Sequence, residues 1–297
     1  MAADVRVVAA VGARLGECPI WSSDEGALYW EDVEGSTIHR HDPLTGENTS
    51  CRLPGRPGSF AFTATPGQFV VAMEHQLVRF DWNSGEVTPI SDVEPAGTGN
   101  RLNDGRCDPA GRFVVGSMYE DVGADRTSGI LHQIDASGQA TTLREGIGVS
   151  NGIVFDAARG RMYFADSPTR KIICWDYDAD TGERSGERVF FEYGDEVRGF
   201  PDGACLDAEG HYWSASIYGS ALTRIDPDGY VERQVELPIL TPTMPCFGGD
   251  DLATLFVTSL VDDEQEHRYA DTGDLRAGSL IALDVGVTGI PETPYAG

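Results

Sequence analysis

Three short stretches carry oxygen donors at a constant spacing. Asn103 in Arg-Leu-Asn-Asp-Gly lies five residues before Asp108, Asn151 in Ser-Asn-Gly five before Asp156, and Asp202 in Pro-Asp-Gly five before Asp207. In each, an amide or carboxylate precedes a short apolar run that ends in Asp. One such dipeptide is more often a hairpin turn than a ligand. The same donor at the same place in a repeat points several repeats at one ligand. Carboxylate and amide oxygens suit a hard divalent cation. A set of so few protein ligands leaves positions open for water and substrate, which suits catalysis.

The elements that must position these residues read as strands. Runs such as Ala27–Trp30, Gln68–Ala72, Arg112–Val115, Arg161–Phe164, His211–Ser214 and Thr254–Val257 are short, aromatic or β-branched, and each follows a turn marker. The markers include Asp108-Pro-Ala-Gly111 and Asp207-Ala-Glu-Gly210, where Asp opens the turn and Gly takes the positive φ. A second set, including Asp42–Gly46, Asp81–Gly85, Asp135–Gly138 and Asp178–Gly182, alternates with the first. Two hairpins per repeat, recurring every 42 to 51 residues, predict an all-β fold: a six-bladed β-propeller with four-stranded antiparallel blades. Blades bury their faces against neighbours, so residues 1–297 read as a single domain. A pair of β-sandwiches would also show many short strands, but it predicts no constant offset. Propeller geometry then places Glu17, Asn103, Asn151 and Asp202 at one mouth of a channel.

Composition narrows the function. The 297 residues carry a net charge of −26, which argues against nucleic acid as a partner. No run approaches a membrane span, and Met1–Ala13 lacks a basic start with a long apolar core, so a cytoplasmic protein is expected. Six cysteines form no C-x-x-C pair and read as free thiols. The six histidines (39, 41, 75, 132, 211 and 267) show no H-x-x-x-H pairing, so a histidine zinc site lacks support. Gly148-Val-Ser-Asn-Gly152 fits the serine-hydrolase elbow, but a strand and a turn follow it rather than a helix.

A wider set of motifs resembles one family, the SMP-30/gluconolactonase/luciferin-regenerating group of six-bladed propellers. Leu15–Trp21 resembles its opening motif. Asn103-Asp-Gly105, Gly116-Ser-Met118, Ser150-Asn-Gly152, Pro201-Asp-Gly203 and Cys246–Gly249 follow in the family's order. The resemblance implies one divalent metal, calcium, zinc, manganese or iron(II), held by Glu17, Asn151 and Asp202. It implies hydrolysis of a sugar lactone, with Asp202 as general base. Arg101 and Asn103 resemble the family's substrate contacts, and either Glu120 or Asp121 falls where the family has an acidic one. Tyr119 to Gly129 reads as a lid. Cys18 and Tyr119-Glu120 depart from the family's usual residues and alter the pocket wall. The alternatives are a metal-dependent phosphotriesterase-like hydrolase, a calcium-binding propeller without turnover, and a peptide-binding scaffold.

Overall fold

The computed structural model describes residues 4–261 and 277–297. His267 lies outside them. Strand β1 (Arg6–Ala9) comes first. The first sheet is then β2 (Gly16–Ser22), β3 (Ala27–Asp32), β4 (Thr37–His41) and β5 (Asn48–Arg52). The second is β6 (Pro57–Phe62), β7 (Gln68–Met73), β8 (Gln76–Asp81) and β9 (Val87–Asp92). The third is β10 (Asn100–Cys107), β11 (Phe113–Tyr119), β12 (Gly129–Ile134) and β13 (Ala140–Ile147). The fourth is β14 (Ser150–Asp156), β15 (Arg161–Asp166), β16 (Lys171–Tyr177) and β17 (Arg184–Glu192). The fifth is β18 (Phe200–Leu206), β19 (Tyr212–Ile217), β20 (Ala221–Ile225) and β21 (Val231–Glu236). In the sixth, β22 (Pro242–Gly248), β23 (Thr254–Ser259) and β24 (Leu280–Asp284) are completed by β1, which pairs antiparallel with β24. The fold is a six-bladed β-propeller with four-stranded antiparallel blades, as the repeat predicts. Among the described residues no helix is long and apolar enough to cross a membrane.

Burial grades across each blade. Every residue of β3 is buried, whereas β5 and β17 are largely exposed. A strand covered on both faces reads as a continuous apolar run, which is why Ala27–Trp30 does not alternate. The outer strands carry charge instead, as in Val231-Glu-Arg-Gln-Val-Glu236. Charged edges resist pairing with other chains.

The chain forms two compact units. One holds residues 1–50 and 193–291, with the first, fifth and sixth sheets. Its cores gather Trp213, Phe247, Leu255 and Ile281 in one cluster, and Trp21, Trp30, Phe256 and Leu280 in another. The other unit holds 51–192 and 292–297, with the second, third and fourth sheets. Val70, Leu77, Phe113 and Tyr295 share one of its clusters; Leu131, Ile153, Phe164 and Trp175 share the next. Tyr295 ties the C-terminal residues in place, its hydroxyl donating to Asp135 O at 2.6 Å.

The turn aspartates do more than start turns. Asp108 is fully buried. Its Oδ1 accepts Ala110 N at 2.9 Å and Arg112 N at 2.8 Å, while Oδ2 accepts Arg112 Nε at 2.6 Å and Tyr177 OH at 2.5 Å. Burial pushes the Tyr177 phenol up, and Asp108 adds to the shift. The carboxylate thus joins the third sheet to the fourth. Removing one member of such a buried charged network leaves the others uncompensated, at a cost of about 3–5 kcal/mol. Asp108→Ala is therefore expected to lower the urea midpoint by the equivalent of that loss. A midpoint shift worth under about 1 kcal/mol, the usual range of an exposed pair, would refute it.

Candidate functional site

In all six blades the first strand slips by one residue against the second at the same level. Glu17 pairs with Glu31 and Ile20 with Tyr29, three steps along β2 against two along β3. The same shift falls at Pro57/Ser59, Leu102/Gly105, Asn151/Val154, Pro201/Ala204 and Pro242/Pro245. A bulge frees backbone groups from the ladder and re-aims a side chain. Glu17, Asn103, Asn151 and Asp202 all sit at these bulges. Glu17 shares their spacing too, because it lies five residues before Ser22. Ser22 Oγ accepts Glu25 N at 3.3 Å, doing for the first blade what Asp108, Asp156 and Asp207 do for the third, fourth and fifth.

In the second unit the structure brings Arg101, Asn103 and Asn151 into one hydrogen-bonded chain. Arg101 Nη1 donates to Asn103 Oδ1 at 2.7 Å, and Asn103 Nδ2 donates to Asn151 Oδ1 at 3.1 Å. Asn151 Nδ2 donates to Ser167 Oγ at 2.9 Å. The direction of this chain is chemically fixed. A guanidinium only donates, so the Asn103 atom facing it is oxygen and the other is nitrogen. That nitrogen must meet an acceptor, so Asn151 turns its oxygen toward it. The result is an amide oxygen of set orientation on Asn151, which is 5% exposed.

The backbone groups freed by the bulges find partners on neighbouring blades. Ser59 Oγ donates to Asn103 O at 2.7 Å. Asp104 Oδ2 accepts Ile153 N at 3.0 Å. Burial pushes the Asp104 carboxyl up, partly offset by that N–H. The close approach needs glycine: a Cβ at Gly58 would lie 2.3 Å from Leu102 O, and one at Gly105 2.6 Å from Ser59 Oγ.

The two acidic candidates after β11 differ. Glu120 is exposed and pairs with Arg56 Nη2 at 2.7 Å, and Arg56 also holds Glu74 at 3.1 Å. Asp121 caps the turn Val122–Ala124, accepting Gly123 N at 3.0 Å. Both ends of the candidate lid are tied to residues 99–100: Glu120 N donates to Gly99 O at 2.9 Å, and Ser128 Oγ to Asn100 Oδ1 at 2.6 Å. Asn100 is itself held by buried Glu94 at 2.7 Å. The lid and Arg101 thus share one support.

In the first unit, Asp202 on β18 is 5% exposed. Ser214 and Ser216 on the adjacent β19 accept from or share a proton with buried Tyr193 OH, at 2.8 and 3.1 Å. Burial pushes the Tyr193 phenol up, and the charge of Asp202 acts in the same direction. Glu17 on β2 follows Gly16, whose carbonyl accepts Thr243 Oγ1 at 2.5 Å. A Cβ at Gly203 would meet Met244 Cβ at 2.5 Å, so the residue after Asp202 must also be glycine.

Asp207, Glu209 and His211 also bring three metal-capable atoms within 4.8 Å of one another. They form no metal centre. Arg224 already sits there, with Nη2 2.7 Å from Asp207 and 2.6 Å from Glu209, and Trp213 Nε1 donates to Asp207 at 2.9 Å. A guanidinium fills the place a cation would take.

Residues 15–261 match the model of the SMP-30/Gluconolactonase/LRE-like region. The chain belongs to this family. The 6-deoxy-6-sulfogluconolactonase of Pseudomonas putida is 35% identical over 95% of each chain. Pentonolactonase XacC of Haloferax volcanii is 35% identical over 94% of each chain. Among solved structures of the family, the calcium-binding protein regucalcin of Agrobacterium tumefaciens is 28% identical with a TM-score of 0.92, covering 100% of this chain and 99% of its own. The family resemblance read from the motifs is thereby established over the full propeller.

Sequence reasoning missed three carboxylates that accept backbone N–H groups near the candidate residues. Asp104 was hidden inside a motif attributed wholly to its neighbour. Asp32 and Asp166 close the second strands of the first and fourth blades, in Tyr-Trp-Glu-Asp and Tyr-Phe-Ala-Asp. An acid after a buried aromatic run, recurring at the same level of two blades, was the available signal.

Proposed function

We propose that this chain is a metal-dependent sugar lactonase, opening an aldonolactone to its aldonic acid. The observation that carries the reading is the directed chain from Arg101 through Asn103 to Asn151, which presents an amide oxygen at a bulge. The Glu17 and Asp202 carboxylates occupy the equivalent bulges of the first and fifth blades. Carboxylate and amide oxygens are the donors that a hard divalent cation takes: calcium, manganese, zinc or iron(II). The relatives named for sulfogluconolactone and pentonolactone hydrolysis support the substrate class.

Glu17, Asn151 and Asp202 would hold the cation, which when bound withdraws charge from the lactone carbonyl and lowers the pKa of water. The chain's own groups supply the rest. An Asp202 carboxylate oxygen takes the proton of the attacking water. The water oxygen bonds to the carbonyl carbon, and negative charge builds on the former carbonyl oxygen. Arg101 stabilises that charge. Collapse breaks the bond to the ring oxygen, which takes the proton held by Asp202, and the aldonic acid leaves with Asp202 again ionised. Asn103 and one of Glu120 or Asp121 orient sugar hydroxyls. Asp121 spends an oxygen on its cap and Glu120 is held at its tip by Arg56, so Glu120 reaches substrate only by exchanging Arg56.

Chelated protein reloaded separately with each of the four metals should recover hydrolysis of pentono- and hexonolactones. Hydrolysis of a phosphotriester on the same preparation should be slower by at least about a hundredfold, the scale of one mispositioned catalytic contact. Metal binding without turnover of any lactone would instead favour a calcium-binding role, the function printed in the name of the Agrobacterium relative. Unchanged lactone turnover after chelation would remove the metal from the mechanism.

A further inference from the structure

Two aspartates outside the ligand set do the same task in different blades. Asp32 ends β3 and pairs across the ladder with Gly16, directly before Glu17. Asp166 ends β15 and pairs with Ser150, directly before Asn151. Each turns back to bind the two backbone N–H groups that enter its first strand. Asp32 accepts Arg14 N at 3.2 Å and Leu15 N at 3.0 Å. Asp166 accepts Gly148 N at 3.2 Å and Val149 N at 3.1 Å. In both cases these are the third and second residues before the candidate ligand. Asp32 is 8% exposed, and a Cβ at Gly35 would meet its Oδ2 at 2.4 Å, so the carboxylate is boxed in. A Cβ at Gly148 would meet Pro168 Cγ at 3.0 Å and Asp166 Oδ1 at 3.1 Å. Asp166 is followed by Ser167, whose Oγ receives Asn151 Nδ2. The segment 166–167 therefore grips both the approach to Asn151 and the side chain itself.

We infer that Asp32 and Asp166 are paired positioning residues, fixing the entry of β2 and β14 so that Glu17 and Asn151 meet a cation with their oxygens already aimed. The inference rests on the reading of Glu17 and Asn151 as ligands. Partners that orient a ligand typically account for about 10–100-fold in metal affinity. The two clamps differ in one testable respect. Asp32 uses one oxygen for each N–H: Oδ2 for Arg14 and Oδ1 for Leu15. An asparagine there must turn its NH2 against one donor. Asp166 brings both N–H groups onto Oδ1, with Oδ2 only sharing Gly148 N at 3.3 Å. An asparagine there keeps the main acceptor.

The test is manganese(II) binding to the full chain, followed by the electron-spin signal of the free ion, beside thermal unfolding of the same metal-free proteins. D32N should bind manganese about 10–100-fold more weakly than the parent, as should D32A and D166A. D166N should stay within about threefold, a rescue that a general loss of negative charge or of stability would not give. Equal affinities for D32N and the parent overturn the role of Asp32. A D166N protein as weak as D166A overturns that of Asp166. The asparagine variants are isosteric, so they carry the result even where an alanine variant fails to fold. Glu17→Ala and Asn151→Ala serve as references. Undiminished manganese binding in both references would sink the ligand reading itself, whereas normal binding in D32N and D166A beside weak references sinks only this inference.

Discussion

Asp202→Ala is expected to lose metal and lactone hydrolysis together, with kcat/KM falling by about 10³-fold or more. On the proposed mechanism two contributions vanish at once: a charged ligand, and a general base of the kind that supplies about 10²–10⁴-fold. Asp202→Asn separates them. It keeps an oxygen for the cation but cannot take the proton from water. It should bind manganese measurably and turn over no better than Asp202→Ala. Hydrolysis by Asp202→Asn within tenfold of the parent would exclude the base role, and full activity in Asp202→Ala would exclude the mechanism.

The fold was legible because its determinants are local. Asp and Gly turn markers and short aromatic runs dictate hairpins, and hairpins at a regular period dictate blades. The five-residue offset located Asn103, Asn151 and Asp202 for the same reason, since each lies in a bulge at a fixed distance from a structural Asp. Glu17 obeys the same offset with Ser22 as its turn residue, so its place in the repeat rather than an Asp marks it. What the sequence could not display was partnership between distant positions. Asp104 binds Ile153 N, a residue 49 positions away, and Asp32 binds Arg14 N, 18 positions back. Asp104 sits in an Asn-Asp-Gly that reads as a turn, and only the recurrence of an acid after an aromatic run marks Asp32. Asp207, Glu209 and His211 show the converse. Their spacing looks like a metal site, and only the arrival of Arg224 from another strand shows the place to be filled.

Arg101→Ala is expected to lower kcat/KM by about 10²–10³-fold, the usual effect of removing one donor to a developing oxyanion. Its manganese affinity should change by no more than about threefold, because the bond from Asn103 Nδ2 to Ser150 O keeps the Asn103 amide oriented without Arg101. Arg101→Lys should recover less than tenfold, since an ammonium cannot reproduce the planar fork that fixes Asn103 Oδ1 while facing substrate. The hydrogen-bond direction gives a sharper comparison. Asn103 Nδ2 donates to both Ser150 O and Asn151 Oδ1, at 2.9 and 3.1 Å. An aspartate at 103 would satisfy Arg101 but set an oxygen against those two acceptors. Asn151 would relieve the clash by turning its NH2 toward residue 103, and the oxygen it offers a cation would be lost. Asn103→Asp should thus weaken manganese binding by at least tenfold more than Arg101→Ala, although Asn103 is not a ligand and the substitution adds a negative charge. A simple electrostatic view predicts the opposite order, with the extra carboxylate tightening the cation. If Asn103→Asp binds manganese more tightly than the parent, Asn103 belongs with the ligands, and the division between Asn103 and Asn151 falls.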